Sequence, residues 1–177
     1  VSPMGARMLR RWLVLPLTEQ KAIQDRLNIV DYFTHHADLA DDLVLEIKKM
    51  GDLERLISKV ATARICPREV VHLKRALNAI VPVIESCSAS KNKSLVKLAS
   101  QLNPCDDIRE KIASQIQDDA PVQLIKGNVM ASGVSQELDE LRTISTSAKS
   151  HLEEIREREM ERTGIPSLKI SFNNVFG

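Results

Sequence analysis

Ser135-Gln136-Glu137-Leu138-Asp139-Glu140-Leu141-Arg142-Thr143-Ile144-Ser145-Thr146-Ser147-Ala148-Lys149-Ser150-His151-Leu152-Glu153-Glu154-Ile155-Arg156-Glu157-Arg158-Glu159-Met160-Glu161-Arg162-Thr163-Gly164-Ile165-Pro166 decides the fold. Its apolar positions Leu138, Leu141, Ile144, Ala148, Leu152 and Ile155 step by three or four and line one face of a helix. Nothing interrupts the pattern until Gly164 and Pro166 end it. At ~1.5 Å per residue such a helix reaches ~43 Å, about the breadth of a small domain. Glu154 and Arg158 form a favourable i,i+4 pair, whereas Glu153–Glu157 and Arg158–Arg162 place like charges at that spacing. These terms are small, so the arm needs a packing partner along its stripe to be rigid. After Pro166 the pattern alternates (Ser167-Leu168-Lys169-Ile170-Ser171-Phe172-Asn173-Asn174-Val175-Phe176), which predicts a strand opening a sheet that the sequence begins and does not finish. A β element left incomplete on a long arm, and a first residue Val instead of Met, imply a segment of a larger protein.

Upstream of the arm the chain reads as a succession of short amphipathic helices. Met8, Leu9, Trp12 and Leu13 stripe the first, which Pro16 ends. Thr18 is the expected N-cap of a second helix striped by Ile23, Leu27, Val30 and Phe33. Leu39, Leu43, Ile47 and Met50 stripe the next, with Gly51 at its C-terminal end and Asp52 capping a helix that turns Leu53, Leu56, Ile57 and Val60 inward. Pro67 opens another, and Pro82 should kink it or end it early. Leu95, Leu98 and Leu102, then Ile108, Ile112 and Ile116, predict two shorter helices. Val122 to Ile125, the turn Lys126-Gly127-Asn128, and Val129-Met130 predict a small hairpin. The expected fold class is all-α: a multi-helical core with a long lever-like helix, a short hairpin and a truncated β element at the C-terminus. The expected organisation is a helical core over 1–134, the long helix of that same domain over 135–164, and the beginning of a further domain over 165–177.

Composition narrows the function. Of 177 residues 43% are hydrophobic but only 3% aromatic, so the core must be aliphatic. Twenty-five basic against 24 acidic side chains leave a formal charge of +1, without the basic excess of a domain that holds nucleic acid through its whole surface. Cys66, Cys87 and Cys105 form no C-x-x-C pair and read as reduced thiols. There is no phosphate-binding glycine loop, dinucleotide fingerprint or H-E-x-x-H. His35 and His36 are adjacent, ~100° apart on a helix, and make a poor metal pair. Asp41-Asp42, Asp106-Asp107 and Asp118-Asp119 read as complements of helix N-termini. Arg7 and Arg11 share a face that either touches phosphate or, at least as readily, pairs with acids. No apolar run is long enough for a membrane span.

Three blocks then carry a resemblance. Met4-Gly5-Ala6-Arg7-Met8-Leu9-Arg10-Arg11-Trp12-Leu13 with Pro16-Leu17 is the first, continued by Ile23, Arg26-Leu27 and Val30. Gly51-Asp52-Leu53-Glu54-Arg55-Leu56 followed by Pro67-Arg68-Glu69 is the second. The most specific is Glu159-Met160-Glu161-Arg162-Thr163-Gly164-Ile165-Pro166-Ser167-Leu168-Lys169-Ile170, then Phe172-Asn173 and Val175-Phe176-Gly177. In this order and spacing they resemble the core domain of MutS-family DNA mismatch-repair proteins, up to the point where a lever helix enters the clamp.

The resemblance implies a non-catalytic core and lever that connect an ATPase domain to a DNA-gripping clamp. It implies ATP and Mg as cofactors of the parent protein only, and no catalytic, cofactor or metal residue here. Its implied partners are mismatched double-stranded DNA, a second subunit in a homodimer or heterodimer, and mismatch-repair partner proteins. The implied location is the cytoplasm, on the bacterial nucleoid. Lys169 and Asn173 share the polar side of the expected strand and are the candidate DNA-backbone contacts. Two other readings stay open: the same core in a relative acting on recombination intermediates, and a helical protein-interaction scaffold unrelated to DNA.

Overall fold

A computed structural model describes residues 1–169, apart from the side chain of Lys149. The chain divides into two compact units, Val1–Ala131 and Ser132–Gly177.

The first unit is built from α1 (Pro3–Val14), α2 (Gln20–His35), α3 (Ala37–Met50), α4 (Leu53–Ala61), α5 (Pro67–Asn78), α6 (Ile80–Ser88), α7 (Lys93–Ala99) and α8 (Asp106–Gln115). Local chemistry sets most of the boundaries. Ser2 accepts the Gly5 N–H at 3.2 Å and Pro3 occupies the first turn, so α1 starts where its amides are satisfied. Gly51 leaves α3 at φ 65°, ψ −138°, a conformation open to glycine at little cost. Asp52 then accepts the Arg55 N–H at 3.3 Å and starts α4. Glu69 reaches back to the Cys66 N–H at 3.1 Å to close a capping box on α5. Pro82 lacks the N–H that would bond the Asn78 carbonyl, and the helix breaks at Ala79, so the expected interruption appears as two helices.

The core is aliphatic, as the low aromatic content requires. Leu43 and Met50 of α3 meet Leu73, Ala76 and Leu77 of α5, and Ile80, Val83 and Cys87 of α6. Leu95 and Ala99 of α7 and Ile112 of α8 close the cluster. Burial also pushes the Cys87 thiol pKa up, in keeping with an unreactive packing residue. The three cysteines are unpaired.

Four expectations need correction. Thr18 does not cap α2; the helix begins at Gln20 after Glu19, which makes no side-chain cap bond. The inward residues of α2 are Ile29, Tyr32 and Phe33, whereas Ile23, Leu27 and Val30 are exposed, so of the expected stripe only Phe33 packs on the core. Ile57 and Val60 of α4 are likewise exposed, leaving Leu53 and Leu56 inward. The hairpin is absent: Leu124–Lys126 is a single 3-10 turn. Val129 and Ala131 pair instead with the chain just after α8, through Gln117 N–H to the Val129 carbonyl (2.9 Å) and Ala131 N–H to the Gln115 carbonyl (2.8 Å). Among the described residues the Ile116–Met130 bridge is the only β pairing.

Ion pairs staple the surface of this unit. Arg7 forks onto Asp52 (2.6 Å) and Glu54 (2.8 Å), tying α1 to the start of α4. Lys59 pairs with Glu69 and Lys74 with Asp118. These cationic partners hold the carboxyls of Asp52, Glu69 and Asp118 below their ordinary range. A depressed folded-state pKa gives stability that is complete above the unfolded value and lost as pH falls through the folded one. Acid unfolding should therefore begin as pH drops below about 4. Arg7→Ala should flatten that dependence by removing the Asp52 part, which denaturant melts at pH 7 and pH 3 would read. An unchanged difference between the two pH values would contradict the assignment.

Candidate functional site: the long helix and its C-terminal junction

The second unit contains α9 (Gln136–Thr163), one unbroken helix of 28 residues, which spans ~42 Å at 1.5 Å per residue. Its start is doubly fixed. Ser135 accepts the Leu138 N–H at 3.3 Å, and Asp139 accepts the Gly133 N–H at 2.6 Å, so the turn before the helix is held to its first turn. Glu137 and Asp139 also complement the positive end of the helix.

Polar side chains along α9 bond mainly within the helix. Arg142 bonds Asp139 at 3.2 Å, Gln136 bonds Glu140 at 2.9 Å and Arg162 bonds Glu159 at 2.9 Å. Glu154 turns back towards His151 (3.6 Å), and the expected pair with Arg158 does not form. Thr143, Thr146, Ser150 and Thr163 each donate a hydroxyl hydrogen bond to the carbonyl four residues earlier. Such bonds satisfy the hydroxyls without demanding solvent or a partner, and they tend to bend a helix slightly. Leu141, Ile144 and Leu152 are 57%, 65% and 50% exposed. These exposed residues keep regular helical spacing along one face of α9.

Gly164 ends α9 in the left-handed conformation (φ 69°, ψ 16°), with its N–H on the Met160 carbonyl at 2.9 Å. Ile165 to Leu168 then turn, closed by a 3.3 Å bond from the Leu168 N–H to the Ile165 carbonyl. Lys169 follows, exposed and outside any helix. The first residues of the expected strand, Ser167 to Lys169, form a turn and its exit and no strand, while residues from 170 on, Asn173 among them, lie outside the described residues, so only one of the two candidate DNA contacts is described. The helix itself carries eight acidic and five basic side chains. That balance opposes a phosphate backbone along its length.

The other candidates resolve locally. Arg7, offered for phosphate, spends its guanidinium on Asp52 and Glu54. Arg26 lies over the Trp12 ring at 3.6 Å, an α1–α2 contact that spacing alone did not single out. His36 stacks on Tyr32 with ring centroids 3.9 Å apart, while the Nδ1 of His35 lies 2.9 Å from the Asp31 carbonyl. Asp106 and Asp107 do sit in the first turn of α8, but Asp41 and Asp42 lie in the second turn of α3, whose first-turn acid is Asp38. Among the described residues no group of His, Cys, Asp and Glu could hold a metal ion, and no helix is long and apolar enough to cross a membrane.

An aliphatic unit of eight described helices and a second unit containing one long, apolar-striped helix make this an all-α, multi-helical chain. The chain belongs to the family described as MutS domain III, which matches residues 1–169. It is 52% identical over 177 residues to the DNA mismatch repair protein MutS of Bacteroides thetaiotaomicron, covering 100% of this chain and 20% of the relative. It is 49% identical over 177 residues to the DNA mismatch repair protein MutS of Flavobacterium johnsoniae, with the same coverage. It is 48% identical over 176 residues to that of Cytophaga hutchinsonii, covering 99% of this chain and 21% of the relative. The chain thus spans about a fifth of the length of the curated relatives it matches.

Proposed function

We propose that this chain is the helical core and lever of a DNA mismatch-repair protein, joining an ATP-hydrolysing domain to a clamp that grips duplex DNA. The observation that carries the reading is α9: a single uninterrupted helix, exposed along an apolar stripe, inside a chain of the MutS domain III family. A helix packed along one face has discrete arrangements, so it can pass a rotation from one end to the other where a flexible linker cannot. In this account the chain performs no chemistry. ATP and Mg act elsewhere in the parent protein, which works in the cytoplasm as a dimer on mismatched duplex DNA with other repair proteins. The names carried by the relatives favour mismatch repair over action on recombination intermediates.

Lys169, at the exposed tip, is proposed to touch the DNA backbone together with Asn173. Contacts of this kind position a duplex without reading its sequence. In the full-length protein, Lys169→Glu should therefore weaken binding to matched and mismatched duplexes by a similar factor. It should also reduce the salt dependence of binding by about one phosphate contact. Affinity measured at several salt concentrations decides it. A loss confined to mismatched duplex, or an unchanged salt slope, would remove Lys169 from the interface.

A further inference from the structure

The corner where α3 turns into α4 encloses an open cleft of ≈ 560 Å³. Met50 and Leu56 line it with apolar surface, and its polar lining sets Lys49, Arg55, Lys59 and Arg75, with His72 beside them, against the two acids Asp52 and Glu69. Gly51 stands at the turn with φ +65°, and a Cβ there would meet nothing within 4 Å, so the corner is open space.

The acids in the lining are already committed. Asp52 takes the fork of Arg7 and the Arg55 N–H, and Glu69 takes Lys59 and the Cys66 N–H. Lys49 is paired with Glu46 at 2.6 Å. Three cleft groups keep donors to spare. The guanidinium of Arg55 and the ring of His72 are both exposed; Arg55 acts on the Asp52 carboxylate through its charge, and neither side chain donates a hydrogen bond among the described residues. Arg75 uses one N–H on the Asp118 carbonyl at 3.1 Å, out of the five a guanidinium carries. Two planar guanidinium forks lining one open cleft suit the oxygens of a phosphate group better than a carboxamide or a sugar.

We propose that this cleft binds a phosphate group through Arg55, Arg75 and His72. The group comes either from a free polyphosphate or from a nucleic-acid backbone; the recognition chemistry is the same. The site is independent of the function proposed for α9, and its test does not involve the arm.

The 177-residue chain is titrated with tripolyphosphate at constant ionic strength, followed by calorimetry and by amide and imidazole NMR. Saturable binding is expected, with shifts centred on Arg55, His72 and Arg75. Arg55→Glu should weaken it about tenfold or more, as loss of a charge-assisted fork does. Lys126→Glu, the same charge change outside the cleft lining, should leave affinity unchanged. If Arg55→Glu disturbs the circular-dichroism spectrum, Arg55→Gln and His72→Gln, both at exposed positions, replace it. A short DNA duplex is then added as competitor: displacement of tripolyphosphate identifies a nucleic-acid backbone as the source, and no displacement identifies a free polyphosphate. Equal losses from the cleft and control variants, shifts centred elsewhere, or no saturation would each overturn the proposal.

Discussion

Leu95→Ala is expected to lower the unfolding free energy of this chain by about 2–5 kcal/mol, the range for emptying a buried leucine site. The residue is 2% exposed and sits in α7, which has only seven residues. A helix that short has no stability of its own in water, so tertiary contacts must hold it. Leu95 and Ala99 enter the core, Asn92 caps the helix through the Leu95 N–H at 2.9 Å and donates to the Asn28 carbonyl at 2.9 Å, and Ser94 donates to Asp25 at 3.0 Å with Lys97 4.0 Å from the same carboxylate. Removing the isobutyl group empties the space between α7 and the helices it packs on, α2 and α6. Leu98, from the same expected stripe, is 50% exposed, and Leu98→Ala should cost no more than about 0.5 kcal/mol. Urea denaturation of both variants measures the contrast, with a lower midpoint at unchanged slope for Leu95→Ala. Equal costs would mean that the core has been assigned to the wrong face of α7.

Ser147→Pro is expected to divide α9. Proline at this position cannot donate to the Thr143 carbonyl, and its ring collides with that carbonyl, a penalty of about 3 kcal/mol or more. The helix has little with which to resist. Its Arg142–Asp139 and Arg162–Glu159 ion pairs join neighbours three residues apart, each contributing about tenths of a kcal/mol. The stripe that could offset the loss, Leu141, Ile144 and Leu152, is half exposed or more. Each remaining piece would be short enough to be marginal in water. Hydrogen exchange should therefore accelerate on both sides of position 147, with a matching loss of helical circular dichroism. Ser147→Ala, which raises helix propensity at the same exposed site, should do the opposite. Unchanged protection in the proline variant would show that α9 owes its continuity to packing along its stripe and not to its own backbone hydrogen bonds.

The parts of this fold that were readable from sequence are those fixed by chemistry within one turn. Asp52, Pro67, Gly51 and Gly164 each act through their own backbone or through an amide three residues away, so a single sequence contains the whole cause. The continuity of α9 was readable for a related reason, since 28 residues pass without a glycine or proline. Periodicity fails where the question is which apolar face finds a partner. On α2 the set Ile23, Leu27 and Val30 has good helical spacing, yet Ile29, Tyr32 and Phe33 pack on the core; the choice is made by α3 and α7, not by α2. The supposed hairpin fails differently. Val122 to Ile125 is too short to show a period, and Leu124 and Ile125 are 71% and 93% exposed. The bridge that does form joins Ile116 and Met130 across a gap that no local rule reads. For the candidate site, Lys169 was legible as a residue just past the end of α9, but a contact with a duplex is not written in chemistry within one turn.

The measurement that bears most directly on the lever account is the nucleotide dependence of DNA affinity in a full-length protein carrying this chain with Ser147→Pro. Duplex affinity would be determined with and without ATP, for the variant and for its unsubstituted parent. If α9 carries the coupling, the variant still binds DNA and still hydrolyses ATP, but the ratio of the two affinities falls towards one. A ratio equal to that of the parent, in a variant whose α9 is shown by hydrogen exchange to be broken, would mean that the two ends communicate by another route.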